Sequence, residues 1–357
     1  MTSSPHLWVA LSPHGYGHAA MTAPLVAELR RRRPELRLTI QTALPREFLA
    51  TRYGEFEQVT DIPDFGFRMR SATDIDLEAS ADGYAAMHVG FDGLVAREAE
   101  RLRRAAPDLV LANVPYVTVA AAALVGIPVA AFSSLNWADM YAHYLGHRPE
   151  APLILGQMRE SYAKAAMFLR CTPAQTMTLP NLRDIGVVAR RGAARRDELA
   201  QTVGTPRIGL IAFGGIDHSL PLEKWPVMEG WTWLSTLADT PERADILTWQ
   251  SVGMPFADLI PSVDVIVTKP GYGTFTEAGL AGTPVLCVPR PDWPECPHLD
   301  NWLAAHVPVL PVSVEELLAD LPLLLQRLFS LPRPQVAEAL GVVEGADALE
   351  ALLGPSE

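Results

Sequence analysis

Short apolar runs alternate along the chain with longer stretches in which apolar residues recur every three or four positions. This is the signature of parallel strands joined by crossover helices. Leu7–Leu11 reads as a strand, Ala19–Arg33 as a helix with Leu25 and Leu29 on one face, and Leu36–Thr42 as a strand. Phe91–Ala106 and Val117–Val125 read as helices, with strands at Asp108–Ala112 and Pro128–Phe132. After the polar, Gly- and Pro-punctuated segment Ala189–Pro206 the alternation restarts, with strands at Arg207–Phe213, Asp245–Gln250, Asp264–Thr268 and Pro284–Val288. Val314–Phe329 and Gln335–Leu353 read as closing helices.

The pattern predicts an α/β protein with two Rossmann-like, doubly wound domains facing a cleft. Residues 1–190 and 206–334 form these domains, and 335–357 is a terminal helix that packs back on the first. A length of 357 residues suits two cores rather than one. The charge of −12 and sequence pI near 5.2 argue against a nucleic-acid partner. The basic run Arg30–Arg33 has two readings, a contact with an anionic membrane surface or a solvated helix C-terminus, and the second is preferred. No stretch reaches the roughly 18 apolar residues of a membrane span, and Met1–His6 lacks the build of a signal peptide, so a cytoplasmic location is expected. Cys171, Cys287 and Cys296 are too scattered for a disulfide framework or zinc knuckle.

Two glycine-rich turns carry the candidate chemistry. Lys269-Pro-Gly-Tyr-Gly-Thr-Phe-Thr-Glu277 follows a strand and opens a helix. Gly271 and Gly273 permit close approach, and free amides at the helix start suit a diphosphate. Thr274 adds a hydroxyl. Glu277 is either the far half of a Thr274-x-x-Glu277 capping box or a carboxylate for the two ribose hydroxyls of a nucleotide. The other turn, Ser12-Pro-His-Gly-Tyr-Gly-His18, lacks the third glycine of a dinucleotide fingerprint, since Ala20 stands there, and no acidic ribose ligand follows the second strand. A nicotinamide enzyme is therefore not the first choice. His18 is a candidate base near neutral pH, and His14 competes for that role or for ligand binding. Asp74-Ile-Asp76 matches a short metal-binding element but lies in a polar loop and is set aside.

Lys269–Glu277 followed by Ala281-Gly-Thr-Pro284 resembles the donor site of GT-B glycosyltransferases, especially the peptidoglycan N-acetylglucosaminyltransferase group and the transferase-like half of arabinokinases. The resemblance implies diphosphate contacts at Gly271, Gly273 and Thr274, ribose contacts at Glu277, and donor contacts at Lys269 and Tyr272. Arg290, Glu295 and Asn301 fall in the loop that meets the donor sugar in the arabinokinase-like version; many relatives carry an acidic or amide residue followed by Gln there. Gly214 and Gly215 resemble the first glycine loop of the same domain, and Gln250, Ser251 and Val252 stand where backbone groups read the base. Gly17-His18 with Pro24-Leu25 resembles the start of the first helix in inverting members, where the histidine activates the acceptor. Relatives often pair it with an aspartate, but here the equivalent strand ends in Asn113, which can hold the ring tautomer; Asp139 is a second candidate. His14, Tyr16 and Trp137 are the expected acceptor contacts.

The implied function is inverting transfer from a nucleotide sugar, UDP-linked, to an unidentified acceptor, with no metal and no cofactor besides the co-substrate. A non-hydrolysing sugar-nucleotide epimerase and a catalytically silent nucleotide-sugar-binding protein are the alternatives.

Overall fold

The structure is a computed structural model and describes residues 4–71, 74–213 and 220–354. It divides into two compact units. The first comprises Met1–Arg70, Asp74–Val188 and Leu340–Glu357, the second Ala189–Ala339 with Ser71–Thr73.

The first unit is built on seven parallel strands: β1 (His6–Leu11), β2 (Arg37–Gln41), β3 (Glu57–Val59), β4 (Leu109–Asn113), β5 (Val129–Ser133), β6 (Met167–Cys171) and β7 (Leu182–Ile185). Their order is β3-β2-β1-β4-β5-β6-β7. β1 and β4 are buried along their full length, which is why both read as unbroken apolar runs rather than alternating ones. The second unit repeats the plan with β8 (Arg207–Ile211), β9 (Trp231–Ser235), β10 (Ile246–Thr248), β11 (Val265–Thr268), β12 (Val285–Cys287) and β13 (Val309–Pro311), in the order β10-β9-β8-β11-β12-β13. All pairings within both sheets are parallel. In each sheet the chain reverses its direction of travel once, between β1 and β4 and between β8 and β11. Doubly wound folds gather ligand-binding groups outside the strand ends at such a reversal.

Several expected elements differ in detail. The segment expected as a linker contains the helix Arg196–Val203. The strand expected to run to Gln250 stops at Thr248, and Trp249–Val252 forms a 3₁₀ turn closed by Gly253 at φ 63°. The closing helix begins at Leu340 rather than Gln335; ahead of it the Ala337 amide donates to the Gly279 carbonyl at 3.0 Å instead of joining a helical ladder.

That last helix belongs to the first unit. Gly341 and Gly345 let it approach closely: a Cβ at Gly341 would stand 2.1 Å from the Gly186 carbonyl oxygen, and one at Gly345 2.6 Å from Leu25. The same contact takes up two residues of the basic run, Arg32 and Arg33. Arg30 donates to the Tyr53 carbonyl at 2.6 Å, Arg31 pairs with Glu28, Arg32 with Glu28, Asp347 and Glu350, and Arg33 with Glu350. Arg33 also donates to the Gly354 carbonyl. All four guanidinium groups have partners within the unit, and Arg31 keeps 70% of its side chain exposed. Among the described residues no helix is long and apolar enough to cross a membrane.

In the second unit, β8 carries Gly209 beneath the fully buried ring of Trp233, whose own neighbours are Trp225 at 5.1 Å and Trp231 at 5.4 Å. A Cβ at position 209 would lie 2.2 Å from the Trp233 ring, so this glycine is demanded by packing. Gly209→Ala is expected to destabilise the second unit by about 1–3 kcal/mol, read as a lowered urea midpoint with an unchanged slope; an unchanged midpoint would show that the ring has room to move.

Candidate functional site

At the end of β1 the chain turns through Ser12–Tyr16 into the helix Gly17–Arg32. Gly15 occupies the left-handed region (φ 76°), and its amide donates to the Pro13 carbonyl, closing the turn tightly enough to deliver His18 to the first helical turn. The Ser12 amide donates to the Asn113 carbonyl at 2.8 Å, continuing the β1–β4 ladder one step past the strand. Asn113 and His18, 95 residues apart, therefore meet.

His18 is buried, and its Nδ1 lies 2.8 Å from Asn113 Oδ1. The surrounding bonds fix which nitrogen holds the proton. The Thr22 hydroxyl donates its one proton to the His18 carbonyl at 2.7 Å, so it accepts from Asn113 Nδ2 at 2.8 Å. The amide oxygen of Asn113 then faces the imidazole, Nδ1–H donates to it, and the lone pair sits on Nε2. Burial pushes the His18 pKa down to about 4, while the Asn113 bond pulls it back upward. Asp139 is committed elsewhere: it accepts from Thr178 Oγ1, the Thr178 amide and Asn136 Nδ2. It is not the partner of the histidine.

Trp137, fully buried, holds both histidines edge-on, with His14 at 5.4 Å and His18 at 5.6 Å between ring centroids. Gly66 (φ 64°) lies against both His14 and Trp137, where a Cβ would stand 2.8 Å from each. Tyr16 instead stacks on Phe48 at 4.2 Å. Beside Trp137 lies Asp64, a residue the sequence did not single out. Its carboxyl is buried, which pushes its pKa up to about 7 against the opposing pull of Ser12 and Trp137. Thr22, which sets the tautomer, also went unnoticed; its spacing of four from His18 on a helix was the available signal.

In the second unit the helix after β11 starts at Tyr272, with Gly271 as cap residue and no side-chain cap. This removes the capping-box explanation of Glu277. Thr274 is the third helical residue and Glu277 lies a turn further in, beyond the reach of a cap. A true capping box occurs elsewhere, where Ser313 and Glu316 exchange bonds of 3.1 and 2.7 Å. Gly271 is extended at φ −170°, and among the described residues a Cβ on Gly271 or Gly273 would meet nothing within 4 Å. Neither the backbone nor packing among the described residues demands these glycines. The helix start has no side-chain cap from Gly271, and the positive end of its dipole lies there.

Lys269, at the end of β11, has its pKa pushed down to about 8, first by burial and then by the charge of Arg290. Arg290 lies over the Trp293 ring at 3.9 Å, and Trp293 Nε1 donates to Glu295 Oε2 at 3.2 Å. The structure thus brings Lys269, Arg290 and Glu295 into one charged group. Asn301 is exposed on the helix Cys296–Ala304. Gln250, Ser251 and Val252 occupy the 3₁₀ turn, where the Ser251 hydroxyl donates to the Thr248 carbonyl at 2.7 Å. Gly214 and Gly215 lie outside the described residues. Asp76 caps the helix Leu77–Val89, accepting from the Ala79 amide at 3.1 Å, which gives the Asp74–Asp76 element a structural role. Among the described residues no group of three or more His, Cys, Asp or Glu is placed to hold a metal ion.

No family model matches the chain. It is 26% identical over 315 residues to an L-arabinokinase of Arabidopsis thaliana, a match covering 84% of this chain and 30% of that protein's length. Among solved structures, the glycotransferase of kitacinnamycin superposes with a TM-score of 0.61 at 19% identity, covering 98% of this chain and 100% of that one. UGT89C1 of Arabidopsis thaliana, solved with UDP, gives 0.58 at 14% identity over 98% and 99%. A UDP-N-acetylglucosamine 2-epimerase of Listeria monocytogenes, so described in its structure as a putative one, gives 0.55 at 12% identity over 96% and 95%. The chain has the GT-B glycosyltransferase-like fold, with two Rossmann-like domains.

The buried histidine makes a specific prediction. His18 protonates near 6.5 in the unfolded chain and near 4 in the folded one, so the unfolded state binds more protons between those values. The site's contribution to stability is whole above about 6.5 and is lost as pH falls towards 4. Nitrogen-15 NMR should show His18 with a protonated Nδ1 at neutral pH and a midpoint well below 6.5. Asn113→Ala should give mixed tautomers. A midpoint near 6.5 in the wild type would show that His18 is solvated.

Proposed function

We propose that the chain is an inverting glycosyltransferase that moves a hexosyl or N-acetylhexosaminyl group from a UDP-linked sugar to an acceptor hydroxyl. The single observation that carries this reading is the His18–Asn113–Thr22 network, which leaves Nε2 as a proton acceptor at neutral pH. An imidazole locked in this tautomer has little structural purpose on its outward nitrogen, and a general base needs that lone pair. The fold and the UDP and dTDP complexes among its neighbours support a nucleotide sugar as donor.

In the proposed reaction the acceptor oxygen attacks the anomeric carbon as its proton passes to His18 Nε2. The bond from that carbon to the diphosphate oxygen breaks, and the nucleoside diphosphate leaves with the electron pair. A single displacement of this kind inverts the anomeric centre. In the second unit the helix start at Gly271–Thr274 receives the diphosphate charge, aided by Lys269, and Glu277 accepts from the ribose hydroxyls. Arg290 and Glu295 meet the sugar. The departing charge is met by amides and cations of the chain, so the reading calls on no metal and no resident cofactor.

Epimerases among the structural neighbours favour one second reading, epimerisation of the donor alone. Product analysis separates the two, because transfer requires an acceptor and epimerisation does not.

Calorimetry with a panel of UDP- and dTDP-sugars, followed by mass spectrometry of products from candidate acceptors, tests the proposal. His18→Ala should lower kcat by roughly 10²- to 10⁴-fold while leaving donor affinity unchanged. Glu277→Ala should weaken donor binding roughly ten- to a hundredfold, the worth of hydrogen bonds to a charged group. Undiminished donor binding in the Glu277 variant would remove the donor-site assignment; undiminished kcat in the His18 variant would remove the base.

A further inference from the structure

Trp137 is the wall against which His14 and His18 are both set, and its backbone is anchored from the sheet. Its amide donates to Tyr162 Oη at 3.2 Å, and that hydroxyl donates to the Val114 carbonyl at 2.7 Å, one residue past Asn113. This leaves the indole its rotation about the side-chain bonds, and the loop that follows β3 limits that rotation. Gly66 lies against the ring at Cζ2, and Asp64, two residues earlier, hydrogen-bonds the Trp137 side chain. Asp64 also hydrogen-bonds Ser12, the residue that leads the chain out of β1. The Ser12 amide is committed to the Asn113 carbonyl and its hydroxyl oxygen accepts from the His14 amide at 3.4 Å, so the hydroxyl proton serves Asp64. One carboxyl, 8% exposed, thus holds both the turn that leads to His18 and the ring that packs on its imidazole.

We propose that Asp64 is a positioning residue for the His18 base: by accepting from Ser12 and Trp137 together it fixes the angle at which the imidazole meets the acceptor. A general base loses much of its effect when displaced by a fraction of an ångström, so such a clamp bears directly on the rate. The inference rests on the transferase reading for its catalytic purpose, while the clamp itself stands apart from it.

The charge of Asp64 sets the strength of the clamp, because hydrogen bonds to a carboxylate are stronger than those to a neutral carboxyl group. Burial raises its pKa to about 7, so the carboxylate is present above that value and is lost as pH falls through it. Its surroundings include other ionisable groups. Tyr84, Tyr116 and Tyr162, on three different helices, feel its charge, but burial raises all three well above their ordinary range and they stay uncharged near neutrality. In the cavity that Asp64 lines, Arg101 pairs with both Glu98 and Asp61, and Arg97 lines the same space. His14 shares the Trp137 indole with His18. A substitution at Asp64 itself separates its titration from theirs.

NMR of the full chain with labelled histidine, from pH 5 to 9, tests it. The carbon-bound ring protons of His18 sense the ring current of the indole and so report the angle between the two rings. In the wild type they should step with a midpoint near 7, apart from the protonation of His18 itself near 4. Asp64→Asn, which keeps the shape of the protonated carboxyl, should hold at pH 8 the shifts that the wild type reaches below the step, with no midpoint of its own. Trp137→Phe, which keeps a ring but removes the N–H, should lose most of the step and serves as a second variant. No step near 7 in the wild type, or an undiminished step in Asp64→Asn, overturns the proposal. With a donor and acceptor pair in hand, Asp64→Asn should lower kcat at pH 8 roughly tenfold and bind UDP like the wild type, and the wild-type kcat should fall towards the variant's below about pH 7. Equal kcat at pH 8, or weakened UDP binding in the variant, also overturns it. Absence of any transfer by the wild type strikes the transferase reading instead, and the NMR titration still decides the clamp.

Discussion

The register between β1 and β4 governs the chemistry of the first unit. Leu11 stands opposite Asn113, and the Ser12 amide extends the ladder onto the Asn113 carbonyl. A slip of one residue would turn the Asn113 side chain to the other face of the sheet and leave His18 buried without a partner on Nδ1. That register is secured by two strands with no exposed residue, where any shift would have to be matched across the whole apolar layer. The hydrophobic core thus determines a proton position.

The same arrangement explains an asymmetry between the two sites. In the first unit every group around His18 is held by packing: Thr22 and Asn113 by the network, Trp137 by complete burial, Gly66 by its contact with both rings. In the second unit the helix start at Gly271 carries no side-chain cap, and Lys269 at the end of β11 feels the charges of Arg290 and Glu295. In the proposed reaction a base must be positioned before its substrate arrives, whereas a diphosphate pocket can be lined by amides whose direction the helix already fixes. Burial lowers the His18 pKa, and Asn113 offsets this only with a dipole where an aspartate would offer a charge.

Much of this was legible in the chain. Unbroken apolar runs marked β1, β4, β5, β8 and β11, and the glycine turns after β1 and β11 marked the two strand ends where the candidate residues gather. Short or polar strands escaped notice: β3 and β7 are partly exposed edge strands without an apolar signature, and β9 is dominated by tryptophans. Thr274 and Glu277 have capping-box spacing, but Gly271 takes the cap position, a choice made by backbone geometry that residue spacing does not reveal. Asp64 was hidden for another reason. It comes from an irregular loop, and its significance lies in what surrounds it in space, namely Trp137 and Tyr84, 73 and 20 residues further along.

The last helix has a consequence for how the molecule is made. Because Leu340–Leu353 completes the first unit while residues 189–339 build the second, the second unit is inserted in sequence within the first. On a ribosome, the second sheet has all its strands before the first unit has the carboxylates of Asp347 and Glu350. Until then Arg32 lacks two of its three partners, and the Leu25 surface that meets Gly345 is uncovered. The early-synthesised unit is therefore the late-maturing one, and it depends on residues that are translated more than 150 positions after its own last strand.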